Sequence, residues 1–157
     1  MVDANKLVAY ADGAIGDGRS HTGVGAVLMD GRGRILVWGN RRLGPMTNNE
    51  AEYAGLVLAL ELAIPLRPRR LQVYLDSAVV VGQMNGDCQV RSQKLKPWHR
   101  RACHLAQRVA QVTYQHVPRQ RNRLADALAN EALCGQILSN HPSVELFLKL
   151  APRAVDA

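Results

Sequence analysis

Cysteine is scarce in this chain of 157 residues: Cys88, Cys103 and Cys134 are widely spaced and form no C-x-x-C pair. That argues against a disulfide framework and against a cysteine-built zinc site. It fits a reducing cytoplasm, in which each thiol serves as a small hydrophobe. Long apolar runs are missing too. The strongest, Tyr53 to Leu66, is broken by Glu61 and Pro65 and falls short of the roughly 20 residues that span a bilayer. Met1 to Lys6 lacks the basic-then-apolar layout of a secretory signal. There is no internal repeat and no low-complexity tract. The glycines at 13, 16, 18, 23 and 25 make no strand-to-helix dinucleotide loop, and no G-x-x-x-x-G-K occurs. His21, His99, His104 and His141 have no ligand spacing and read as structural or solvent-facing.

What is present describes one globular domain. Hydrophobic residues make up 47% and charged residues 21%, which excludes wholesale disorder. Twenty Lys and Arg against 13 Asp and Glu give a formal charge of +7. A basic surface of that size suits a polyanionic partner, and equally a merely soluble basic protein.

Periodicity and punctuation give the elements. Lys6 to Asp12 reads as a strand ended by Gly13. Val24 to Met29 and Arg34 to Trp38 are strands joined by Asp30-Gly31-Arg32-Gly33, a hairpin signal. Asn49 to Ile64 is a helix, with Thr47 and Asn48 as capping candidates and Pro65 as its stop. Leu71 to Leu75 is a strand, Ser77 to Met84 a short helix closed at Asn85-Gly86, and Lys96 to Ala110 a helix with Pro97 in its first turn. Val112 to Val117 is the last strand and Asn122 to Leu133 the last helix. The order implies an α/β fold: a mixed sheet, hairpins first and parallel crossovers after, covered by helices. The tail from Gly135 to Ala157 holds one apolar segment, Val144 to Leu150, suited to a docked helix.

Acids stand at unusual places in this pattern. The strands Leu7–Ala11 and Leu71–Leu75 read as buried, yet run straight into Asp12 and Asp76, at the sheet edge where α/β folds hold ligands. A turn-forming Asp is the plain alternative, above all before Gly13. Glu52 shares its helix face with Leu56, Ala59, Leu60 and Ala63, so it reads as semi-buried, or as a first-turn acid favoured by the helix dipole. Glu50, in line with Ala54, Val57 and Glu61, reads as solvated. Asp126 sits near Arg119, Arg121 and Arg123 and is readable as a surface ion pair. Four acids gathered at one edge would repel one another, and divalent cations would resolve that. Hard oxygen ligands select Mg²⁺ or Mn²⁺ over zinc.

These residues resemble the type 1 ribonuclease H family. The carriers are Tyr10-Ala11-Asp12-Gly13, Thr47-Asn48-Asn49-Glu50-Ala51-Glu52, Leu75-Asp76-Ser77 and Ala125-Asp126-Ala127-Leu128-Ala129, in family order from about Lys6 to Leu133. The shorter branch of archaea and some bacteria is most similar, through Val80 to Gly86, Lys94-Leu95-Lys96-Pro97 and His116-Val117-Pro118-Arg119. The resemblance implies a five-stranded mixed sheet with helices on both faces, residues 1–135 as a catalytic domain and 136–157 as a tail. It implies endonucleolytic cutting of the RNA strand of an RNA–DNA hybrid by two-metal hydrolysis, leaving 5′-phosphate and 3′-hydroxyl ends. Asp12, Glu52, Asp76 and Asp126 would hold two Mg²⁺ or Mn²⁺ ions, with Asp12 bridging. Asn48 and Asn49 would read 2′-hydroxyls in the shallow minor groove, Gly13 would admit a ribose, and Thr47 would meet a phosphate. The expected protein is a cytoplasmic monomer whose partner is the hybrid duplex.

Three departures from the family pattern matter. Ala78 stands where many members have a base-contacting Gln. Nothing between Asp87 and Ala110 is long enough for the basic protrusion of larger bacterial enzymes; Lys94, Lys96, Arg100 and Arg101 substitute as phosphate contacts or form a solvated helix face. The flexible-loop His has no match, because His116 falls inside a strand and reads as structural. Arg119 is the candidate replacement, pairing with the scissile phosphate or a catalytic acid. Trp98 reads as a stacking or a helix-packing residue. Two competing functions remain open: a non-catalytic nucleic-acid-binding module, and the same fold acting on double-stranded RNA or on DNA.

Overall fold

The computed structural model describes residues 5–140. His141 and the segment Val144 to Leu150 lie outside them. Three consecutive strands, β1 (Lys6–Ile15), β2 (Thr22–Asp30) and β3 (Ile35–Leu43), are followed by helix α1 (Asn48–Ala63), strand β4 (Arg70–Leu75), helices α2 (Ala78–Met84) and α3 (Leu95–Ala106), strand β5 (Val112–His116) and helix α4 (Arg123–Leu133). The sheet order is β3-β2-β1-β4-β5. β1, β2 and β3 pair antiparallel, while β4 joins β1 and β5 joins β4 in parallel. This is the arrangement expected from one tight hairpin followed by helical crossovers.

The hairpin between β2 and β3 is set by Asp30. Its Oδ1 accepts from the backbone N–H of Arg32 and of Arg34, each at 2.9 Å, and Gly33 takes φ +81°. Those backbone donors, Arg34 first, hold the Asp30 carboxyl below the usual carboxylate range.

Gly13 does not end β1, which runs on to Ile15. The glycine marks a close approach instead: a Cβ there would lie 2.3 Å from the Ala51 carbonyl oxygen in α1. On β2, a Cβ at Gly25 would meet the Ala125 carbonyl of α4 at 2.5 Å. Gly13 pairs with Val24, and Gly25 with Asp12, so the two glycines point to opposite faces. Helices α1 and α4 therefore clasp the sheet from its two sides, α1 against β1, which carries Asp12, and α4 against its neighbour β2.

Helix α1 is buried over twelve of its sixteen residues, because the sheet covers one side and α3 another. The solvated face expected through Glu50 and Glu61 is therefore not there. Glu61 is 2% exposed and pairs with Arg41 of β3 at 2.7 Å and with Arg101 of α3 at 3.5 Å. Glu50 closes a capping box with Thr47 and accepts from Trp98 Nε1 at 3.2 Å. Trp98 is 3% exposed, which makes it a packing residue and leaves no ring face for a base.

After α4 the chain turns back onto β3. Buried Asn40 donates through Nδ2 to the carbonyls of Leu128 and Gln136, both at 2.9 Å, and its Oδ1 accepts from Leu138 N at 2.7 Å. Asn140 spans Trp38 N (2.9 Å) and the Leu36 carbonyl (3.0 Å). Residues 136–140, read from sequence as the start of a tail, thus run along the outer side of β3. No helix among the described residues is long and apolar enough to cross a membrane.

Candidate active site

The site forms where the strand-borne acids meet the clasping helices. Asp12 stands within β1, three residues before its end rather than at it, and is 4% exposed. Asp76 follows the last residue of β4, and Glu52 lies in the first turns of α1. One carboxylate oxygen from each of Asp12, Glu52 and Asp76 lies within 4.8 Å of the others. Glu52 thus takes the semi-buried position, against the sheet. Asp126, in the first turn of α4, stands beside this trio rather than within it, near enough to Asp12 to help raise its carboxyl.

Bringing these acids together is electrostatically expensive. Burial, then the charge on Asp76, raises the Asp12 carboxyl to about 7. Burial, then the charges on Asp12 and Asp76, raises Glu52 to about 10. The charge of one acts on the carboxyl of the other, so the two titrate together rather than as separate acids. A divalent cation would reverse the penalty by giving the ionised forms a partner. The donor set fits one: it is all hard oxygen, and Glu52 Oε2 is buried without a hydrogen-bond partner.

Two neighbours adjust the cluster. Arg119 lies 3.8 Å from Asp126 Oδ1, with its side chain 79% exposed. Asn122, just before α4, is 1% exposed and donates to the Ala11 carbonyl (2.8 Å) and to Asp76 Oδ2 (3.3 Å). Sequence reasoning took Asn122 only as the start of a helix. The one signal in its favour is a lone amide four residues ahead of an acid on the same helix turn.

The remaining candidates are distributed around this centre. Thr47 is the N-cap of α1, its hydroxyl accepting from Glu50 N at 3.3 Å. Asn48, the other capping candidate, is instead the first helical residue and is exposed, while Asn49 is half-buried. Gly13 serves the α1 packing described above. Lys94 is exposed ahead of α3; Lys96 lines, with Arg100, a groove of about 650 Å³ between α2 and α3. His116, read as structural, is exposed at the end of β5.

Comparison with known proteins follows the same lines. The family described as reverse transcriptase-like matches residues 10–132. The chain is 38% identical over 128 residues to ribonuclease HI of Halobacterium salinarum, covering 82% of this chain and 64% of that protein. It is 36% identical over 129 residues to the bifunctional protein Rv2228c of Mycobacterium tuberculosis, covering 82% and 35%. The chain therefore spans about a third to two thirds of the length of these curated relatives. Among solved structures, the N-terminal RNase H domain of Rv2228c superposes with a TM-score of 0.79 at 35% identity, covering 86% of this chain and 96% of that one. RNase H1 of Halobacterium salinarum gives 0.79 at 37%, covering 83% and 99%. LC11-RNase H1, solved with an RNA/DNA hybrid, gives 0.76 at 30%, covering 82% and 97%. Fold and acid cluster together define a ribonuclease H-like domain. Within that class, the chain belongs to the type 1 ribonuclease H family.

Proposed function

We propose that this chain is a metal-dependent endonuclease that hydrolyses the RNA strand of RNA–DNA hybrids. Water adds to phosphorus as the P–O3′ bond breaks, so the products carry 5′-phosphate and 3′-hydroxyl ends. The observation that carries this reading is the meeting of Asp12, Glu52 and Asp76, with Asp126 close enough to influence Asp12. Support comes from LC11-RNase H1, a relative whose structure holds a hybrid.

In this reading Asp12, Glu52, Asp76 and Asp126 hold two ions, Mg²⁺ or Mn²⁺. Bound there, the ions would acidify the attacking water and neutralise the leaving oxygen. The chain's own residues do the rest. The carboxylates fix the charge geometry before substrate arrives. Asn48 and Asn49 offer both donors and acceptors to 2′-hydroxyls at the start of α1, and Thr47 is placed beside them for a phosphate. Lys94 and Lys96 meet the duplex backbone farther along. Arg119, a planar guanidinium that is largely solvent-facing, alternates between Asp126 and the scissile phosphate. All four acids come from one chain, so a monomer suffices.

The deciding experiment offers matched hybrid, RNA–RNA and DNA–DNA duplexes to the chain with Mg²⁺ or Mn²⁺. Cleavage confined to the RNA of the hybrid, abolished by EDTA, is expected. Equal cutting of double-stranded RNA would widen the substrate class, and cutting of DNA would replace it. Salt-sensitive hybrid binding without turnover would make the chain a binding module.

A further inference from the structure

We infer that Asn122 is a positioning residue of the carboxylate cluster, holding Asp76 through its side chain and Asp126 through its backbone. The inference rests on the cluster being the reaction centre proposed above. Three contacts converge on this one buried residue. Its Nδ2 donates to the Ala11 carbonyl at 2.8 Å, beside Asp12 in β1, and to Asp76 Oδ2 at 3.3 Å, at the end of β4. Its own carbonyl accepts from Asp126 N at 3.0 Å, in the first turn of α4. Asn122 N donates in turn to the Arg119 carbonyl at 3.0 Å, which ties in the segment carrying that arginine.

The chemistry requires a primary amide. Both partners of Nδ2 are acceptors, so the amide orientation is fixed: turned over, its oxygen would face two other oxygens. An ionised Asp offers no donor at all, and Ser offers one hydrogen where two are used. The second amide atom points the same way. Asn122 Oδ1 is buried with no hydrogen-bond partner, a penalty that an apolar residue of this size would avoid. An amide kept in spite of its oxygen is kept for its two N–H groups.

Asp76 needs such a donor. Its carboxylate sits within 4.8 Å of those of Asp12 and Glu52, and like charges would swing it toward solvent. The Asn122 N–H holds it inward before any cation arrives, in the way outer hydrogen bonds orient metal ligands.

The test compares wild type, Asn122→Ala and Asn122→Ser with Asn40→Ala, which removes a buried amide that touches none of the acids. Calorimetry with Mn²⁺ on the full chain without nucleic acid is the first readout; kcat, KM and thermal melting are the others. Asn122→Ala is expected to weaken Mn²⁺ binding by roughly 10- to 100-fold. It should lower kcat by a similar factor and leave KM for the hybrid within about twofold, as loss of an interaction that serves the transition state does. Asn40→Ala should lower the melting temperature and leave Mn²⁺ affinity as in wild type. Wild-type Mn²⁺ affinity in a folded Asn122→Ala, or a loss confined to KM, would overturn the inference. If Asn122→Ala does not fold, Asn122→Ser gives the same comparison. Failure of the hydrolase reading shows elsewhere, as a wild-type chain that binds Mn²⁺ and leaves hybrids intact; the Mn²⁺ affinities of the variants still decide the role of Asn122.

Discussion

Asp12 lies directly across the β1–β2 ladder from Gly25, and the two point to the same face of the sheet. The residue opposite this buried acid thus has no side chain. A Cβ there would stand 2.5 Å from the Ala125 carbonyl and 2.6 Å from Leu128 Cβ. That missing group is what lets α4 settle beside Asp12 and bring Asp126 with it.

Gly25→Ala should therefore push α4 off the sheet. We expect a stability loss of about 1–3 kcal/mol from overpacking and a fall in kcat on the order of a hundredfold from misplacing Asp126. Gly31→Ala, with open space around the added methyl, should leave both within error. Thermal melts and hybrid-cleavage kinetics on the pair check this.

Asp12→Asn should lower cleavage on the order of a hundredfold or more, since metal-held charge stabilisation is worth several kcal/mol. The same change removes a buried charge from between Glu52, Asp76 and Asp126. The metal-free variant should consequently melt above the metal-free wild type, and the rise on adding Mg²⁺ should shrink. A variant that is both inactive and less stable than wild type in EDTA would contradict this account of the cluster.

The pH dependence has a definite sign. Asp12 and Glu52 hold protons more tightly folded than unfolded, with values raised from 3.8 to about 7 and from 4.5 to about 10. Their stabilising contribution is complete below the unfolded values and is lost as pH rises through the folded ones. Melting temperature in EDTA should accordingly fall from about pH 4 to about pH 10, Asp12 contributing up to about 7 and Glu52 up to about 10. Mg²⁺ should flatten the fall, because it favours the ionised forms. Asp30 has the opposite sign: its lowered carboxyl stabilises above the unfolded value, and that contribution is lost in strong acid. Melts with and without Mg²⁺ across this range provide the measurement.

Glu61→Gln should be costly. It leaves Arg41, 16% exposed, and Arg101, 29% exposed, without their carboxylate. Breaking a buried pair on one side costs about 3 kcal/mol, discounted here because both arginines reach water. Replacing Glu61, Arg41 and Arg101 together by apolar residues should recover most of the loss. Chemical denaturation of the single and triple variants separates the two outcomes.

Arg119→Ala should change stability by less than about 0.5 kcal/mol, since its pairing with Asp126 is long and solvent-exposed. An effect on turnover would therefore be functional. We expect kcat to fall roughly tenfold and Arg119→Lys to restore only part of it, because a point charge replaces a planar fork. Single-turnover cleavage separates the chemical step from product release.

Much of this was readable before any coordinates. One tight turn after β2 and helical patterns after β3 dictate three antiparallel strands followed by parallel ones. Asp12, Glu52 and Asp76 stand out because acids interrupt apolar patterns. The misreadings share a cause, which is that one-dimensional pattern says nothing of a second covering layer. Gly13 reads as a strand end because its reason, the backbone of Ala51, is 38 positions away in the sequence. Glu50, on a half-polar face with Glu61, reads as solvated because the pattern of α1 does not announce α3. Asn40 carries no signal and Asn122 only its spacing from Asp126, since the groups they bind belong to segments far along the chain.

The segment 136–140 has one more consequence. An outermost strand normally leaves alternate N–H and C=O groups facing water, a template for another chain. Here Trp38 N, Asn40 N and the Leu36 carbonyl are already occupied by Asn140 and Leu138. A chain cut after Gly135 would keep every acid of the cluster yet bare that rim, and it should self-associate edge to edge at concentrations where the intact protein stays dispersed.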